Sequence, residues 1–300
     1  MERSPARAGH ATYLVYRGLA SVAQYLPRAA IDPIAAMAGL AMAELSLRRR
    51  PVVKANLRRV RPDATERELD RLVIEAFDSY ARYWAESARL GNIRPREVLS
   101  RVHVRGFEPI EAALLERRGA IVALPHLGSW EIGGLWLTLR GFPMTTVVEP
   151  LQPVELFEWF KEQRSALGLR VLSPEPATTG RLVQTLREGR LVGLVADRDL
   201  GGNGVEVEFF GERTTLPAGP AVLALRTGAP LFPAAVYQRA GGRYEGVVLA
   251  PLDCKRGHGR LRDDVAVVTQ ALARSFEELI RAAPSQWHLF QPNWPSDRHD

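Results

Sequence analysis

The chain has 300 residues, 46% of them hydrophobic, enough to build one large domain or two small ones around a sizeable core. Its single cysteine, Cys254, excludes an intramolecular disulfide and a Cys-based metal cluster, and fits a reducing compartment. The net charge is +6 and lysine is confined to Lys54, Lys161 and Lys255, so the positive charge is almost all arginine; that suits a phosphorylated substrate or an anionic membrane, while no basic–aromatic interleaving speaks for nucleic acid.

In chain order, the first part reads as helical. Ala11 to Leu26 carries Tyr13, Leu14, Tyr16, Leu19 and Val22 with Arg17 on the other side, and Pro27 and Pro33 are expected to break it. Ile34 to Leu47 predicts a second apolar helix, ending in Arg48-Arg49-Arg50. Neither reaches the roughly 20 uninterrupted apolar residues of a spanning helix, and no secretory signal pattern is present. Lying on an anionic bilayer and packing on the main domain are both open to them. Glu66 to Leu90 predicts a third helix, with Phe77, Tyr80, Tyr83 and Trp84.

From about residue 100 the rhythm becomes strand–helix alternation. Strands are predicted at 102–104, 120–124, 145–148, 170–172, 191–195, 205–210 and 231–237, with helices at 107–118, from 132, at 154–167, at 179–188 and from 220 to 226. Gly119, Gly168 and Gly189 close three of these helices. The fold class is α/β, a largely parallel central sheet flanked by helices, with N-terminal membrane-associating helices. Residues 1–95 form an N-terminal helical, membrane-proximal region and 96–300 an α/β core, integrated into one domain.

Three strands end in polar residues: the 120–124 strand delivers His126, the 145–148 strand Glu149, and the 191–195 strand Asp197-Arg198-Asp199. In a parallel sheet these ends share one edge, where ligands bind. His126 is suited to general-base work near neutral pH, and Glu131, five residues on, to orienting it. On one helix the two would diverge by about 140°; a strand–loop–helix corner lets them converge. The plain structural reading is that His126 caps a strand and Glu131 is a favourable anion at a helix start. Arg164 and Arg198 add charge for a phosphate or carrier headgroup.

The stretch Pro125-His126-Leu127-Gly128-Ser129-Trp130-Glu131 resembles the H-x4-D/E motif of the lysophospholipid-acyltransferase-like superfamily. More narrowly, the chain resembles the lipid A biosynthesis lauroyl/myristoyl acyltransferase family. The match runs on through Glu149, Arg164, Ala196-Asp197-Arg198-Asp199-Leu200, Phe209-Phe210-Gly211, Leu216-Pro217-Ala218-Gly219-Pro220 and Pro230-Leu231-Phe232-Pro233-Ala234, spanning roughly residues 10 to 295. The Asp-Arg-Asp-Leu stretch looks like the actinobacterial branch, the phosphatidylinositol mannoside acyltransferases, in which Asp is commoner at the place of Glu131.

The resemblance implies direct transfer of a fatty acyl chain, such as palmitoyl, from acyl-CoA as co-substrate to a mannose hydroxyl of a membrane glycolipid, with no further cofactor and no metal. The enzyme would sit peripherally on the anionic inner leaflet, at the cytoplasmic face of the plasma membrane. The catalytic set is His126, Glu131 and a downstream glutamate for which Glu206 is the candidate, with Asp197 and Asp199 as rivals for the contact with His126. Glu149, Arg164, Asp197, Arg198, Asp199 and Trp130 are the candidate substrate-binding residues. Trp130, Leu135 and Trp136 would line an acyl groove, and backbone N–H groups near Gly128 to Trp130 would face the oxyanion. An acyl-carrier-protein-dependent, lipid A-type acyltransferase and an acyl-CoA thioesterase are the alternatives.

Overall fold

The computed structural model describes Gly18 and residues 28–148, 153–199 and 201–297. Apart from Gly18, the residues of the expected helix over 11–26 lie outside these, as does Glu149. Among the described residues no helix is long and apolar enough to cross a membrane.

From residue 28 on, the described residues begin with three helices, α1 (Arg28–Leu45), α2 (Arg49–Val60) and α3 (Glu66–Arg89). Pro33 lies inside α1 and does not break it. The missing N–H removes one hydrogen bond near the helix start, and α1 runs on because it packs against α3. The approach is close at Gly39, where a Cβ would stand 2.6 Å from the Asp78 Cα. Ala43, Val53, Leu57, Leu69, Val73 and Phe77 form the shared core of the three helices. A capping box starts α3: Glu68 N–H donates to Thr65 Oγ1 at 3.4 Å and Thr65 N–H to Glu68 Oε2 at 2.7 Å.

The alternating part follows as α4 (Pro95–Arg101), β1 (Val102–Arg105), α5 (Glu108–Leu115), β2 (Ala120–Leu124), α6 (Trp130–Leu139), β3 (Met144–Val147), α7 (Val154–Ala166), β4 (Arg170–Leu172), α8 (Thr178–Arg187) and β5 (Leu191–Val195). Then come β6 (Val205–Phe209), β7 (Glu212–Leu216), α9 (Gly219–Thr227), β8 (Leu231–Arg239), β9 (Arg243–Val248) and α10 (Leu261–Ala282). Seven strands form one sheet in the order β1-β9-β8-β2-β5-β3-β4. Every neighbouring pair is parallel except β8 with β9. The expected largely parallel sheet is therefore present, with one antiparallel hairpin.

The central strands read as continuous apolar runs because helices cover both faces. Ile121 and Ala123 of β2 join a core with Leu182, Leu186, Leu223, Phe276 and Leu279. Val122 and Leu124 face the other way, onto Ile110, Ile132, Leu135 and Trp136.

The 205–210 segment departs from expectation. It is β6, paired only with β7 in a separate antiparallel ribbon. Glu206, the downstream glutamate that the resemblance implies, therefore stands on this ribbon and not on a strand of the main sheet.

Candidate active site

The register of β2 against β5 builds the site. Leu124 is opposite Val195, and Ala196 N–H continues the ladder by donating to Leu124 O at 2.9 Å. Two residues further along each chain, His126 and Asp197 therefore meet at the same height. His126 Nδ1 and Asp197 Oδ1 are 2.5 Å apart. Asp197 has 0% of its surface exposed. Its second oxygen accepts from Trp287 Nε1 at 2.7 Å, and its backbone carbonyl accepts from Asn293 Nδ2 at 3.5 Å. Burial pushes the Asp197 carboxyl up, but the adjacent imidazole and the hydrogen bonds from His126 and Trp287 outweigh it and hold it below the usual carboxylate range.

The carboxylate can only accept, so Nδ1 of a neutral His126 carries the proton and Nε2 is left as a base. The loop that bears His126 is tied down on three sides. His288 N–H donates to His126 O at 2.7 Å, Gly128 N–H to Gln286 O at 2.9 Å and Ser129 N–H to Val236 O at 2.9 Å. Gly128 has φ 59, and a Cβ there would stand 2.0 Å from Val236 O, so only glycine fits.

Glu131 occupies a different place from the one expected. It does not contact His126. Its Oε1 accepts from Arg164 Nε at 2.8 Å and from Arg164 Nη2, and its Oε2 accepts from Ser87 Oγ. Both partners of this ion pair are buried, Glu131 2% and Arg164 5% exposed. Arg164 also lies over the rings of Phe160 (5.1 Å) and Trp130 (5.6 Å). The pair ties α6 to α7 under the cleft floor. The H-x4-E spacing thus brings Glu131 to an arginine that the sequence had assigned to substrate, because the side chain points into the helix packing.

The remaining assignments separate cleanly. Glu206 is exposed on the ribbon, where its Oε1 is 3.4 Å from Arg213 Nη1. Asp199 is committed to its own loop: it accepts from the N–H groups of Gly201 (3.1 Å), Gly202 (3.0 Å) and Gly204 (2.7 Å) and from Thr215 Oγ1 (2.9 Å). Burial pushes its carboxyl up, and those backbone and hydroxyl donors more than reverse the effect. Arg198 donates to Gln291 Oε1 at 3.2 Å and lines the cleft.

The cleft has a volume of about 230 Å³ and is lined by His126, Trp130, Arg164, Arg198, His288 and the aromatic edge of α3, Tyr80, Tyr83 and Trp84. An adjoining cavity of about 50 Å³, almost wholly apolar, lies between the sheet and α6, and Trp130 lines both. Among the described residues no group of three or more His, Cys, Asp or Glu gathers as metal ligands. Cys254 lies outside the cleft, and burial pushes its thiol up to about 11, away from nucleophilic use.

The α3 aromatics and the segment from Trp287 to Trp294 were missed as site elements. Their density of aromatic and amide side chains was the available signal.

A profile of the bacterial lipid A biosynthesis acyltransferase family matches residues 3–296. The chain belongs to this family. It is an enzyme, an acyltransferase, related both to phosphatidylinositol mannoside and to lipid A acyltransferases. It is 43% identical over 238 residues to a phosphatidylinositol mannoside acyltransferase of Mycobacterium tuberculosis, covering 76% of this chain and 72% of the relative. With the Mycolicibacterium smegmatis protein of that name the identity is 40% over 237 residues, 77% of this chain and 75% of the relative. The Escherichia coli lipid A biosynthesis lauroyltransferase is 23% identical over 261 residues, 85% of this chain and 83% of its own length.

The site has a built-in pH cost of folding. Burial pushes the His288 imidazole down to about 3 from its ordinary 6.5. Between those values the unfolded chain binds a proton that the native chain does not, so stability rises with pH across the window and is lost on acidification. The unfolding free energy from urea titration should fall by about 2 kcal/mol from pH 7 to pH 5 through this residue alone. His288→Phe should flatten the pH slope by that amount; identical slopes in the two proteins would contradict the assignment.

Proposed function

We propose that the chain transfers a fatty acyl group from acyl-CoA to a mannose hydroxyl of a phosphatidylinositol mannoside at a membrane surface. The observation that carries this reading is the His126–Asp197 pair, with Nε2 unoccupied by any described protein group, on a cleft large enough for a sugar headgroup. The names of the mycobacterial relatives supply the acceptor class.

The chemistry follows from the geometry. His126 Nε2 takes the proton of the acceptor hydroxyl as its oxygen attacks the thioester carbonyl. The buried Asp197 carboxylate holds the ring and stabilises the imidazolium that forms. When the tetrahedral intermediate collapses, the C–S bond breaks and the imidazolium returns its proton to the CoA sulfur. No covalent acyl-enzyme is needed, and Trp130 stands where the chain would pass into the apolar cavity. The Glu131–Arg164 pair acts by holding α6 and α7 in place and by keeping a cation on the cleft wall. Arg198, on the cleft wall, gives the headgroup phosphate or the CoA phosphates a cationic partner.

Membrane attachment has its own support in α1. Ile34, Met37, Leu40 and Leu45 of α1, and Leu47 just beyond it, are 48%, 73%, 50%, 83% and 78% exposed. The exposed Arg48 and Arg49 follow directly, while Arg50 is partly engaged with Glu44 at 3.4 Å. An apolar face next to cations is the pattern of a peripheral helix on an anionic surface.

Two measurements test these readings. His126→Ala should lower acyl transfer from palmitoyl-CoA to phosphatidylinositol dimannoside by about 10²- to 10⁴-fold while leaving circular dichroism intact, and Glu206→Gln should stay within about twofold of wild type. A folded His126→Ala protein with most of its activity would sink the mechanism. Sedimentation with anionic vesicles should weaken with salt and on replacing Arg48 and Arg49 by Ala, each being worth about 1 kcal/mol. Equal binding to neutral vesicles at all salt concentrations would leave the apolar face as the sole anchor.

A further inference from the structure

His288 is a second histidine on the cleft, and nothing in the mechanism above uses it. It is 8% exposed. The rings of Tyr80 and Tyr83 pack against it, with centroids 5.4 and 5.5 Å away. Its backbone N–H is the donor to His126 O, so the two histidines are held side by side.

Its tautomer is fixed by a relay that starts at Glu86. The Glu86 carboxylate accepts from Tyr244 OH at 2.7 Å, from Ser129 Oγ, and from Gln238 Nε2 at 3.3 Å. Gln238 Nε2 also donates to Ser129 Oγ at 3.1 Å. Two acceptors at one end of the Gln238 amide identify that end as the nitrogen, so its other end is the carbonyl. That carbonyl, Oε1, accepts from Ser79 Oγ at 3.1 Å. Ser79 has one hydroxyl hydrogen, and it is now used. Toward His288 Nε2, 2.9 Å away, Ser79 can only accept. Nε2 therefore carries the ring hydrogen and Nδ1 is a bare lone pair.

Among the described residues Nδ1 has no protein hydrogen-bond partner, and the ring lines the cleft. Burial, which pushes the imidazole down to about 3, keeps it neutral. A largely buried, uncharged acceptor with no partner needs a donor from the ligand. Phosphates and a thioester carbonyl offer none, and the amide N–H groups of a pantetheine arm lie several bonds away from the reacting carbon. The group beside the reacting hydroxyl of a sugar or cyclitol is another hydroxyl, which does.

We infer that His288 is a specificity-determining residue whose Nδ1 accepts a hydrogen bond from a second hydroxyl of a polyol acceptor, with Gln238 and Ser79 as the positioning residues that set its tautomer. The inference rests on the acyltransfer reading above and adds how the acceptor is recognised.

The test is steady-state kinetics with palmitoyl-CoA and phosphatidylinositol dimannoside in mixed micelles. His288→Phe keeps the ring packing and removes the lone pair. It should raise the acceptor KM about tenfold, with the KM for palmitoyl-CoA within about twofold of wild type. His288→Asn, whose amide oxygen can stand near the place of Nδ1, should recover part of the loss. Ser79→Ala, which touches the relay and not the cleft, should raise the acceptor KM by about threefold and keeps the test open if His288→Phe does not fold. A wild type that transfers while His288→Phe and Ser79→Ala leave the acceptor KM unchanged overturns this inference alone. Equal rises in both KM values overturn it too, by assigning His288 to the donor or to the fold. A wild type that acylates no acceptor overturns the acyltransfer reading and this inference with it.

Discussion

A carboxylate with no exposed surface is tolerable only when its oxygens are answered by donors, and Asp197 is answered by His126 on one oxygen and by Trp287 on the other. The rest of the site depends on that arrangement. It requires β2 and β5 to be adjacent and in parallel register, because only then do residues two past each strand end meet. It requires the segment after α10 to return across the sheet edge so that Trp287 reaches the carboxylate. It also requires the loop after β2 to be held still, which Gly128 and the backbone bonds to Val236, Gln286 and His288 accomplish.

Around this pair lie two further polar systems, joined to it only through the backbone bond from His288 N–H to His126 O. Glu131 and Arg164 form a buried ion pair between α6 and α7. Such a pair contributes little net stability relative to apolar packing, but losing one partner strands the other charge at a cost of about 3–5 kcal/mol. Its value is therefore positional: α6 carries Trp130 and α7 carries Phe160, and both pack on the guanidinium. The second system is the relay from Glu86 to His288. In it each hydroxyl and amide has one orientation consistent with its neighbours, and a network satisfied in that way specifies a single geometry.

Much of this was legible before any coordinates. Buried apolar runs at 120–124 and 191–195 announced strands of a largely parallel sheet, though not that they are neighbours, and the strand-end rule singled out His126, Glu149 and Asp197, of which Glu149 lies outside the described residues. What failed has a physical reason in each case. Glu131 sits at the expected spacing from His126, but spacing along the chain does not say which way a helical side chain points, and it turned inward to Arg164. Glu206 was the candidate for a downstream glutamate that the resemblance implied, yet β6 pairs with β7 outside the sheet and leaves it exposed, and pairing partners are not written in a five-residue pattern. Pro33 did not end α1, since packing on α3 overrode a local preference. Trp287, His288 and Asn293 come from a segment with no regular periodicity, and its density of aromatic and amide side chains marked it without saying that it closes over the strand ends.

The central claim is that Asp197 makes a base of His126. Its most direct test is the initial rate of acyl transfer by Asp197→Asn, which keeps the shape of the side chain and removes the charge that holds the imidazole in the productive tautomer. The account predicts a fall in kcat of about 10²- to 10⁴-fold with little change in either KM. A folded Asp197→Asn protein that keeps kcat within about threefold of wild type would contradict it.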